Sequence, residues 1–299
     1  QSLSIPIFPF HSSLQFRSKH SLHSSKITLS STPITNYSSP LSSSTSNQGG
    51  TLILGGNSNL STSLIHSFLT KSNTSPIHII SQNIINNRNV SNTPDSVLYY
   101  NVDLNSSDDI IDFIRNIQPS VIISCLSYSK DEKNSSEFDT NSYESTSIDY
   151  TGTIHAIEAA KSIGCVDRFV YVSRLGAGDS ENTLPLAIKD SMRPQLLEQS
   201  RIEKALKLSG ITYTIVRPGP IVVSNEEQNS SKPVLTESLF GYGTILDTDL
   251  CELITKIVNN KKTENKTFAA LDKTKILLTS PYVRPLEFWE PLPFDDFVL

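Results

Sequence analysis

The chain has 299 residues, with 25 Lys or Arg and 30 Asp or Glu, so its formal net charge is −5. A hydrophobic share of 37% allows a sizeable core, but no apolar run approaches the roughly 20 residues that cross a bilayer. No acid precedes Asp95, and the chain from there on carries 20 basic and 30 acidic side chains. An acidic surface repels phosphate backbones, so we do not expect nucleic-acid binding. The short apolar runs mean that we do not expect a membrane span either.

The first part of the chain, residues 1–48, is crowded with Ser and Thr and carries Arg17, Lys19 and Lys26 without any acid. Low hydrophobicity without periodicity cannot offset the entropy of folding, so we expect this stretch to be disordered. A basic, Ser-rich and acid-poor N-terminus is also typical of organelle transit peptides. A plastid presequence and a featureless linker both remain open as interpretations.

From Thr51 onward, short apolar runs alternate with amphipathic stretches. The runs predict strands at 51–54, 77–80, 97–100, 121–123, 168–172, 212–216 and 267–271. The amphipathic stretches predict helices at 60–69, from Ser106 onward, and at 148–163, 195–208 and 248–259. Ser106 and Ser107 stand where an N-cap is expected, and the acids after them favour the positive end of a helix.

Continuous apolar runs are typical of parallel strands that are buried on both faces. Their alternation with helices predicts an α/β fold, a doubly wound and mainly parallel sheet of the Rossmann type. The predicted division of the chain is a transit-peptide-like segment at 1–48, the Rossmann domain at 49–271 and an extension at 272–299.

The end of the chain, residues 281–299, carries four prolines, three phenylalanines and Trp289. Proline excludes a regular helix, whereas aromatic side chains favour burial. We therefore expect an extended tail that lies across the domain or across a protein partner.

Cys125, Cys165 and Cys251 lie far apart and near no pair of histidines. This spacing matches no zinc or iron–sulfur motif, so we expect reduced thiols and no metal site.

The first predicted strand ends in a turn that reads Gly55-Gly56-Asn57-Ser58-Asn59-Leu60-Ser61. In a dinucleotide site, backbone N–H groups of such a turn and the N-terminus of the next helix hold the pyrophosphate. Glycine is usual at the first, fourth and seventh places, where this chain has Gly55, Ser58 and Ser61. One glycine in three is a weak motif by itself.

Other segments carry a more specific resemblance: residues 147–164, the run Val166-Asp-Arg-Phe-Val-Tyr-Val-Ser173, and Ser209-Gly-Ile-Thr-Tyr-Thr-Ile-Val-Arg-Pro-Gly219. Together with Val121-Ile-Ile-Ser-Cys-Leu126, they resemble the atypical short-chain dehydrogenase/reductases, which include NmrA-like proteins and plastid divinyl-reductase-type enzymes. The resemblance covers about Thr51 to Leu271 and does not select one member. With the N-terminal segment, it implies an NAD(P)-binding protein of the chloroplast stroma.

The resemblance implies that the cofactor contacts four parts of the chain. These are Gly55 to Leu60 at the pyrophosphate, Asp103 and Leu104 at the adenine, Ser124, Cys125 and Leu126 at the nicotinamide-side ribose, and Pro218 and Gly219 at the nicotinamide end.

Each of these contacts has an alternative interpretation. Asp103 could merely end a strand, and residues 124–126 could be a strand tip. Ser58 places a Cβ where backbone must approach phosphate closely, which predicts weakened binding. An acid after the second strand would hold the ribose of NAD, but the chain has Ser81-Gln82-Asn83 there and Arg88 further on, which slightly favours NADP.

Reduction in this superfamily uses a Tyr four residues before a Lys, a spacing that places both on one helix face. None of the ten tyrosines is followed by Lys at that distance. The resemblance aligns Leu196 with the Tyr and Ser200 with the Lys, so the standard pair is absent. Ser173 matches the family's serine after the fifth strand and is a weak catalytic candidate, since a strand-end hydroxyl is its commoner role.

Whether the protein is an enzyme therefore stays open. One hypothesis is a nucleotide-binding or assembly protein of the plastid, with the aromatic tail as a docking strip. A second is a non-standard NAD(P)H-dependent reductase of a plastid metabolite. A third is a sensor that binds NADP and NADPH with different affinity.

Overall fold

The computed structural model describes residues 35–36, 49–56, 59–71, 76–80, 96–126, 148–224, 231–237, 239 and 241–277. The chain divides into two units, Gln1–Ser31 and Thr32–Leu299, and all described residues belong to the second. Most of residues 1–48, residues 81–95 and 127–147, and the aromatic tail at 281–299 lie outside the described residues.

The strands of the described residues are short, and most of them coincide with the apolar runs. They are β1 Thr35–Asn36, β2 Thr51–Leu54, β3 Ile77–Ile80, β4 Val97–Asn101, β5 Val121–Ser124, β6 Arg168–Val172, β7 Tyr213–Pro218, β8 Ile221–Val222, β9 Pro233–Thr236, β10 Tyr242–Gly243, β11 Ile245–Leu246, β12 Lys266–Asp272 and β13 Ile276–Leu277.

The α-helices of the described residues are α1 Asn59–Lys71, α2 Ser107–Ile117, α3 Ile148–Ile163, α4 Leu186–Ser191, α5 Arg193–Leu208 and α6 Asp247–Val258. Helix α2 begins as the sequence predicts, because the Ser106 hydroxyl accepts a hydrogen bond from the Asp109 amide at 3.2 Å. This N-cap satisfies one of the amides that a helix leaves unpaired at its start.

Nine of the described strands form one sheet in the order β1-β4-β3-β2-β5-β6-β7-β12-β9. Every pair in it is parallel except the antiparallel pair of β12 with β9. The strand order reverses between β2 and β5, so the carboxyl ends of these two strands lie side by side at the topological switch point. The predicted doubly wound fold is confirmed.

Two hydrophobic clusters cover the two faces of the sheet. Helices α1 and α6 pack on one face through residues such as Phe68 and Ile254. Helices α2, α3 and α5 pack on the other through residues such as Phe113 and Leu206. Burial on both faces explains why the central strands are apolar throughout instead of alternating.

The structure differs from the sequence-based expectations in three places. Residues 35–36, inside the segment expected to be disordered, form β1 parallel to the end of β4. Strand β9 at Pro233–Thr236 is not among the strands that the apolar runs predict. The described fold also continues past residue 271, since β13 pairs with β10.

Asp272 explains why the described fold extends beyond the predicted end of the domain. Its buried carboxylate accepts hydrogen bonds from the amides of Lys232 and Thr274 at 3.1 and 2.9 Å. Burial alone would raise the pKa of Asp272, but these hydrogen bonds lower it. The turn after β12 is therefore held by hydrogen bonds to a buried carboxylate, and a pattern of apolar residues does not reveal such contacts.

None of the helices formed by the described residues has the length and apolar character that a membrane span requires.

One buried titratable group in the sheet generates a prediction about stability. His78 on β3 is fully buried, and its Nδ1 lies 3.2 Å from the Tyr100 hydroxyl. Burial lowers the pKa of His78 from 6.5 to about 4, although a hydrogen bond with the Gly49 backbone opposes the shift. The folded protein therefore keeps this imidazole neutral under conditions in which an unfolded chain protonates it.

We predict that the free energy of unfolding falls as the pH drops from 6.5 to about 4, because only the unfolded chain takes up the proton. The loss from this group should be about 3 kcal/mol, and the full contribution is present above the unfolded pKa. In urea unfolding at several pH values, His78→Gln should flatten this slope, whereas substitution of the exposed His66 by Gln should leave it intact. An equal slope in both variants would contradict the assignment.

Candidate functional site

The turn after β2 requires glycine at its first position. Gly55 has a φ of +105°, and a Cβ there would lie 3.0 Å from the carbonyl carbon and oxygen of Cys125. A side chain would therefore suffer both from the backbone conformation and from the close approach of β5. The absence of a side chain lets the ends of β2 and β5 meet, as they must at a nucleotide-binding switch point.

The first two amides of this turn are already hydrogen bonded within the protein. The amides of Gly55 and Gly56 both donate to the Ile80 carbonyl, at 3.2 and 3.1 Å. Among the described residues of this region, the amides in the first turn of α1, which begins at Asn59, remain as donors for a phosphate. Asn57 and Ser58, and the side chain of Asn59, lie outside the described residues, while Leu60 is buried against the domain.

The side chains of residues 124–126, next to the glycine turn, point into the protein. Ser124 Oγ lies 2.9 Å from Thr153 Oγ1, and Thr153 in turn donates to the Asp149 carbonyl, so Ser124 is the donor of the pair. The Cys125 thiol donates to the Leu54 carbonyl at 3.2 Å. Burial, reinforced by the charge of Asp149, raises the pKa of Cys125 to about 12.

Cys125 is therefore a protonated thiol and no nucleophile at neutral pH. Leu126 is buried as well. Backbone groups of residues 124–126 border the glycine turn, whereas their side chains pack or bond inward.

Asp103 and Leu104 follow the carboxyl end of β4. The Asp103 carboxylate is exposed and accepts a hydrogen bond from the Asn105 amide at 2.9 Å, which forms a turn into α2. Leu104 is buried, and its carbonyl lies 3.2 Å from His155 Nδ1. The structure thus places Asp103 at the edge of the sheet where nucleotides bind, and also gives it a local structural role.

Pro218 and Gly219 end β7 in a tightly packed corner. The Pro218 carbonyl accepts from the Leu175 amide at 3.0 Å, and the Gly219 amide donates to the Ala270 carbonyl at 3.2 Å. A Cβ on Gly219 would lie 1.7 Å from the Gly243 carbonyl oxygen, so no other residue fits here. The corner fixes the end of β7 against β12 and β10.

A buried ion pair between α5 and β7 lies beside this corner. Arg217 is 2% exposed, and its Nε and Nη2 donate to the two carboxylate oxygens of Glu203 at 2.9 and 2.6 Å. Its Nη1 donates to Asp179. Burial alone would lower the pKa of Arg217, but the two carboxylates raise it above its usual range. The guanidinium is therefore a permanent charge held in a two-pronged geometry.

This ion pair is not among the features predicted from the sequence. The sequence nevertheless contains a sign of the pair, because Arg217 is a charged residue within the apolar run that forms β7. A charge at such a position needs a buried partner. The partner could not be read from the sequence, since Glu203 lies on a different element.

Ser173 belongs to this network instead of facing an open site. Its side chain is fully buried, and its hydroxyl donates to Glu203 Oε1 at 2.7 Å. The proton that a catalytic serine would exchange with substrate is thus engaged with a carboxylate. In this arrangement Ser173 positions Glu203.

The loop after β6 covers the ion pair. Gly178 in this loop has a φ of +57°, and a Cβ there would lie 2.5 Å from Arg217 Nη2. The Gly178 amide donates to Ser200 Oγ at 2.8 Å, and Ser200 Oγ donates to the Leu196 carbonyl at 2.6 Å. Ser200, at the position aligned with the family's Lys, therefore fastens the loop to α5.

Leu196, at the position aligned with the family's Tyr, is buried in a small apolar cluster. The cluster also contains Ala177 and Leu184, and Ile188, Met192 and Tyr242 pack against it. The Leu196 side chain has no proton that it could transfer to a substrate. Leu196 and Ser200, the two positions that the resemblance aligns with the Tyr and the Lys, are thus engaged in packing and in internal hydrogen bonds.

A cleft of about 310 Å³ opens between the loop after β6, α4 and α5. Leu186 and Leu197 lie on its border and are 76% and 53% exposed. Lys189 and Glu181 form an ion pair at 3.5 Å on its rim. The residues that line it are Gly176, Gly178, Glu181, Leu186, Lys189, Asp190, Arg193, Leu196, Leu197 and Ser200.

The chain is similar to proteins of a known family. The family model described as NAD(P)H-binding matches residues 55–261. The chain is 31% identical over 121 residues to the uncharacterized sugar epimerase YhfK of Bacillus subtilis (strain 168), over 40% of this chain and 52% of that protein. It is 32% identical over 161 residues to the chloroplastic protein TIC 62 of Arabidopsis thaliana, over 53% of this chain and 23% of that protein. The chain thus matches about half of the first relative and about a quarter of the second.

Solved structures share the fold. ChuY, an anaerobillin reductase from Escherichia coli O157:H7, has a TM-score of 0.60 at 17% identity and covers 79% of this chain and 98% of its own. A short-chain dehydrogenase/reductase (wide type) from Veillonella parvula DSM 2008, in complex with NADP, has a TM-score of 0.56 at 12% identity and covers 76% and 95%. At such identities, the likeness concerns the fold alone.

We predict that Glu203→Gln destabilises the protein by roughly 3 kcal/mol, because it leaves the buried guanidinium of Arg217 without its main counter-charge. The measurement is urea unfolding at neutral pH. Asp112→Asn, which breaks the exposed pair of Asp112 with Arg115, is the control and should cost less than about 1 kcal/mol. Similar losses in the two variants would show that burial does not make the Glu203 pair special.

Proposed function

Because the chain belongs to the family of NAD(P)H-binding proteins, we propose that it is a plastid protein that binds NAD(P) without standard Tyr–Lys catalysis. Its function is nucleotide binding or assembly. The bound nucleotide would supply a hydride if a reaction occurred, but the chain's own residues lack the usual proton donor beside it.

The observation that carries this proposal is the arrangement around α5. Leu196 packs in an apolar cluster, Ser200 fastens a loop, and the Ser173 hydroxyl is bound to Glu203. A reductase of the standard kind needs a hydroxyl whose proton is free to reach the substrate. Each position at which the family carries such a group is used for packing or internal hydrogen bonding.

The nucleotide end of the site fits a dinucleotide. Gly55 allows β2 and β5 to approach each other, and α1 begins directly after the turn, so its first amides can receive a pyrophosphate. The engagement of the Gly55 and Gly56 amides with Ile80 leaves fewer donors and supports weak binding. The lack of an acid at residues 81–83 supports NADP over NAD.

The plastid location rests on two independent features. One is the basic, Ser-rich and acid-free character of residues 1–48. The other is the 32% identity with chloroplastic TIC 62, which extends over 53% of this chain. An assembly role would use a surface beyond the nucleotide site, and the aromatic tail at 281–299 is the sequence's candidate for it.

A second candidate function, a non-standard NAD(P)H-dependent reductase, is favoured by the cleft. The cleft adjoins Leu196 and Ser200, where substrates of a reductase would have to lie, and it is large enough for a small ligand. Its rim carries Lys189 and Arg193, whose side chains could assist a substrate of suitable geometry.

Isothermal titration of the full chain with NADP and NADPH tests the proposal. We expect weak but saturable binding and no oxidation of NADPH by a set of plastid pigment and isoprenoid precursors. Ser58→Gly should tighten binding by up to about 10-fold, equal to about 1.4 kcal/mol, because it restores close backbone approach to the phosphates. Ser58→Asp should abolish binding through charge repulsion.

The outcomes separate the candidates. No binding at millimolar nucleotide would remove the proposal together with the reductase and sensor functions. Stoichiometric oxidation of NADPH with a precursor would favour the reductase over the assembly protein. Much tighter binding of one redox form, without turnover, would favour a sensor.

A further inference from the structure

Gln199 on the inner face of α5 carries a buried polar atom that the domain itself does not satisfy. The residue is 4% exposed, and its side-chain Oε1 accepts no hydrogen bond from any of the described residues. A buried acceptor without a partner costs free energy, so such groups are rare in folded proteins and call for an explanation. A bound molecule that donates a hydrogen bond to this oxygen would remove the cost.

The place of Gln199 in the fold follows from Glu203, one helical turn further along the chain. Residues four apart lie on the same face of a helix. The Glu203 carboxylate accepts a hydrogen bond from the Ser173 hydroxyl at 2.7 Å, and Ser173 directly follows the end of β6. This face of α5 is therefore turned toward the carboxyl end of β6.

The direction of α5 carries Gln199 farther out than Glu203. Helix α5 leads into the start of β7, which is parallel to β6, so its N-terminal end lies toward the carboxyl ends of both strands. Gln199 precedes Glu203 and lies about 6 Å farther out along the helix axis. Helical side chains also tilt toward the N-terminus of their helix, which moves the Gln199 amide in the same direction. The amide thus lies beyond the end of β6, where open α/β sheets bind ligands.

The inner face of α5 opens to solvent one turn before Gln199. Gln195 is exposed, whereas Glu203 and Leu206 are 2% and 0% exposed. Burial on this face therefore ends at Gln199, which borders the space outside the strand ends. A ligand in that space can reach the unsatisfied oxygen without any rearrangement of the core.

The chemistry of the amide limits the groups that it can bind. Oε1 only accepts hydrogen bonds, and the amide carries no charge. Deprotonated phosphate groups present acceptors alone, so they cannot satisfy this oxygen. A hydroxyl or a carboxamide N–H can, because each donates a hydrogen bond without bringing a charge into a buried place.

The topology indicates which part of a dinucleotide carries such a group. In a doubly wound sheet, a dinucleotide lies across the switch point with one mononucleotide half on each side. The switch point here lies between β2 and β5, and β6 follows on the side of β5. The adenosine ribose belongs next to the second strand of the fold, which is β3. The half that reaches β6 is the nicotinamide riboside, which carries ribose hydroxyls and a carboxamide.

We propose that Gln199 binds the nicotinamide riboside half of the nucleotide, through a hydrogen bond that a hydroxyl or the carboxamide donates to its Oε1. The assignment rests on the proposed nucleotide binding and adds a residue that recognises one half of the ligand. The domain thus keeps an unsatisfied acceptor in its free form, and the bound nucleotide satisfies it.

Isothermal titration of the full chain tests this contact with two ligands, NADP and 2′,5′-ADP, which lacks the nicotinamide riboside. The variant is Gln199→Met, which nearly keeps the volume of the side chain but removes its donor and its acceptor. Leu208→Met is the matched control, since it places the same side chain on the same helix at a position that is 72% exposed. Urea unfolding without nucleotide measures the stability of each variant.

We expect Gln199→Met to weaken NADP binding by about 10-fold, the size of one lost hydrogen bond, and to leave 2′,5′-ADP binding unchanged. The urea midpoint of this variant should stay equal or rise, because a buried unsatisfied acceptor has been removed. Leu208→Met should change neither affinity nor midpoint. A structural role for Gln199 would instead lower the midpoint and weaken both ligands alike, which would overturn the proposal.

Nicotinic acid adenine dinucleotide phosphate, which lacks the carboxamide N–H, identifies the donor. An equal loss of affinity for this ligand in Gln199→Met assigns the contact to a ribose hydroxyl, and an unchanged affinity assigns it to the carboxamide; both results support the contact. Equal NADP binding by the wild type and Gln199→Met would refute it while leaving nucleotide binding intact. If the wild type binds neither NADP nor 2′,5′-ADP, the proposed function fails together with the contact.

Discussion

Arg217 places a permanent positive charge inside the sheet, and the structure around α5 follows from the need to neutralise it. Glu203 supplies the counter-charge with both oxygens, and Ser173, the residue after β6, donates a hydrogen bond to Glu203. The loop after β6 must pass over the pair without a side chain, which requires glycine at 178. Because loss of either charge alone leaves the other buried and unpaired, these residues hold one another in place.

Other residues of the site are also held in place by contacts within the domain. Leu196 packs in an apolar cluster, and Ser200 fastens the loop after β6 to α5. Gly55 and Gly219, by contrast, are fixed by backbone that approaches within contact distance. The glycine turn after β2 and the corner after β7 are therefore held by close contacts between distant elements.

Much of the fold could be predicted because burial on both faces leaves a continuous apolar run in each central strand. The start of α2 at Ser106 was equally visible, since capping is a local interaction. Strand β9 was not, because it is short, begins with Pro233 and is defined by its pairing with β12. The bond of Ser173 to Glu203 and the capture of the Gly55 amide by Ile80 are also contacts between distant elements, which neither periodicity nor motif spacing encodes.

The two borders of the sheet are protected unequally against pairing with other molecules. On one border, β9 has four residues and begins with a proline, which offers no N–H for a further strand. On the other, among the described residues, β1 pairs only with Tyr100 and Asn101 at the end of β4. Proteolytic removal of residues 1–48 would take β1 away and leave the outer backbone groups of β4 without that partner. Any cleavage that separates residues 35–36 from the domain would therefore expose this edge of the sheet to pairing with other strands.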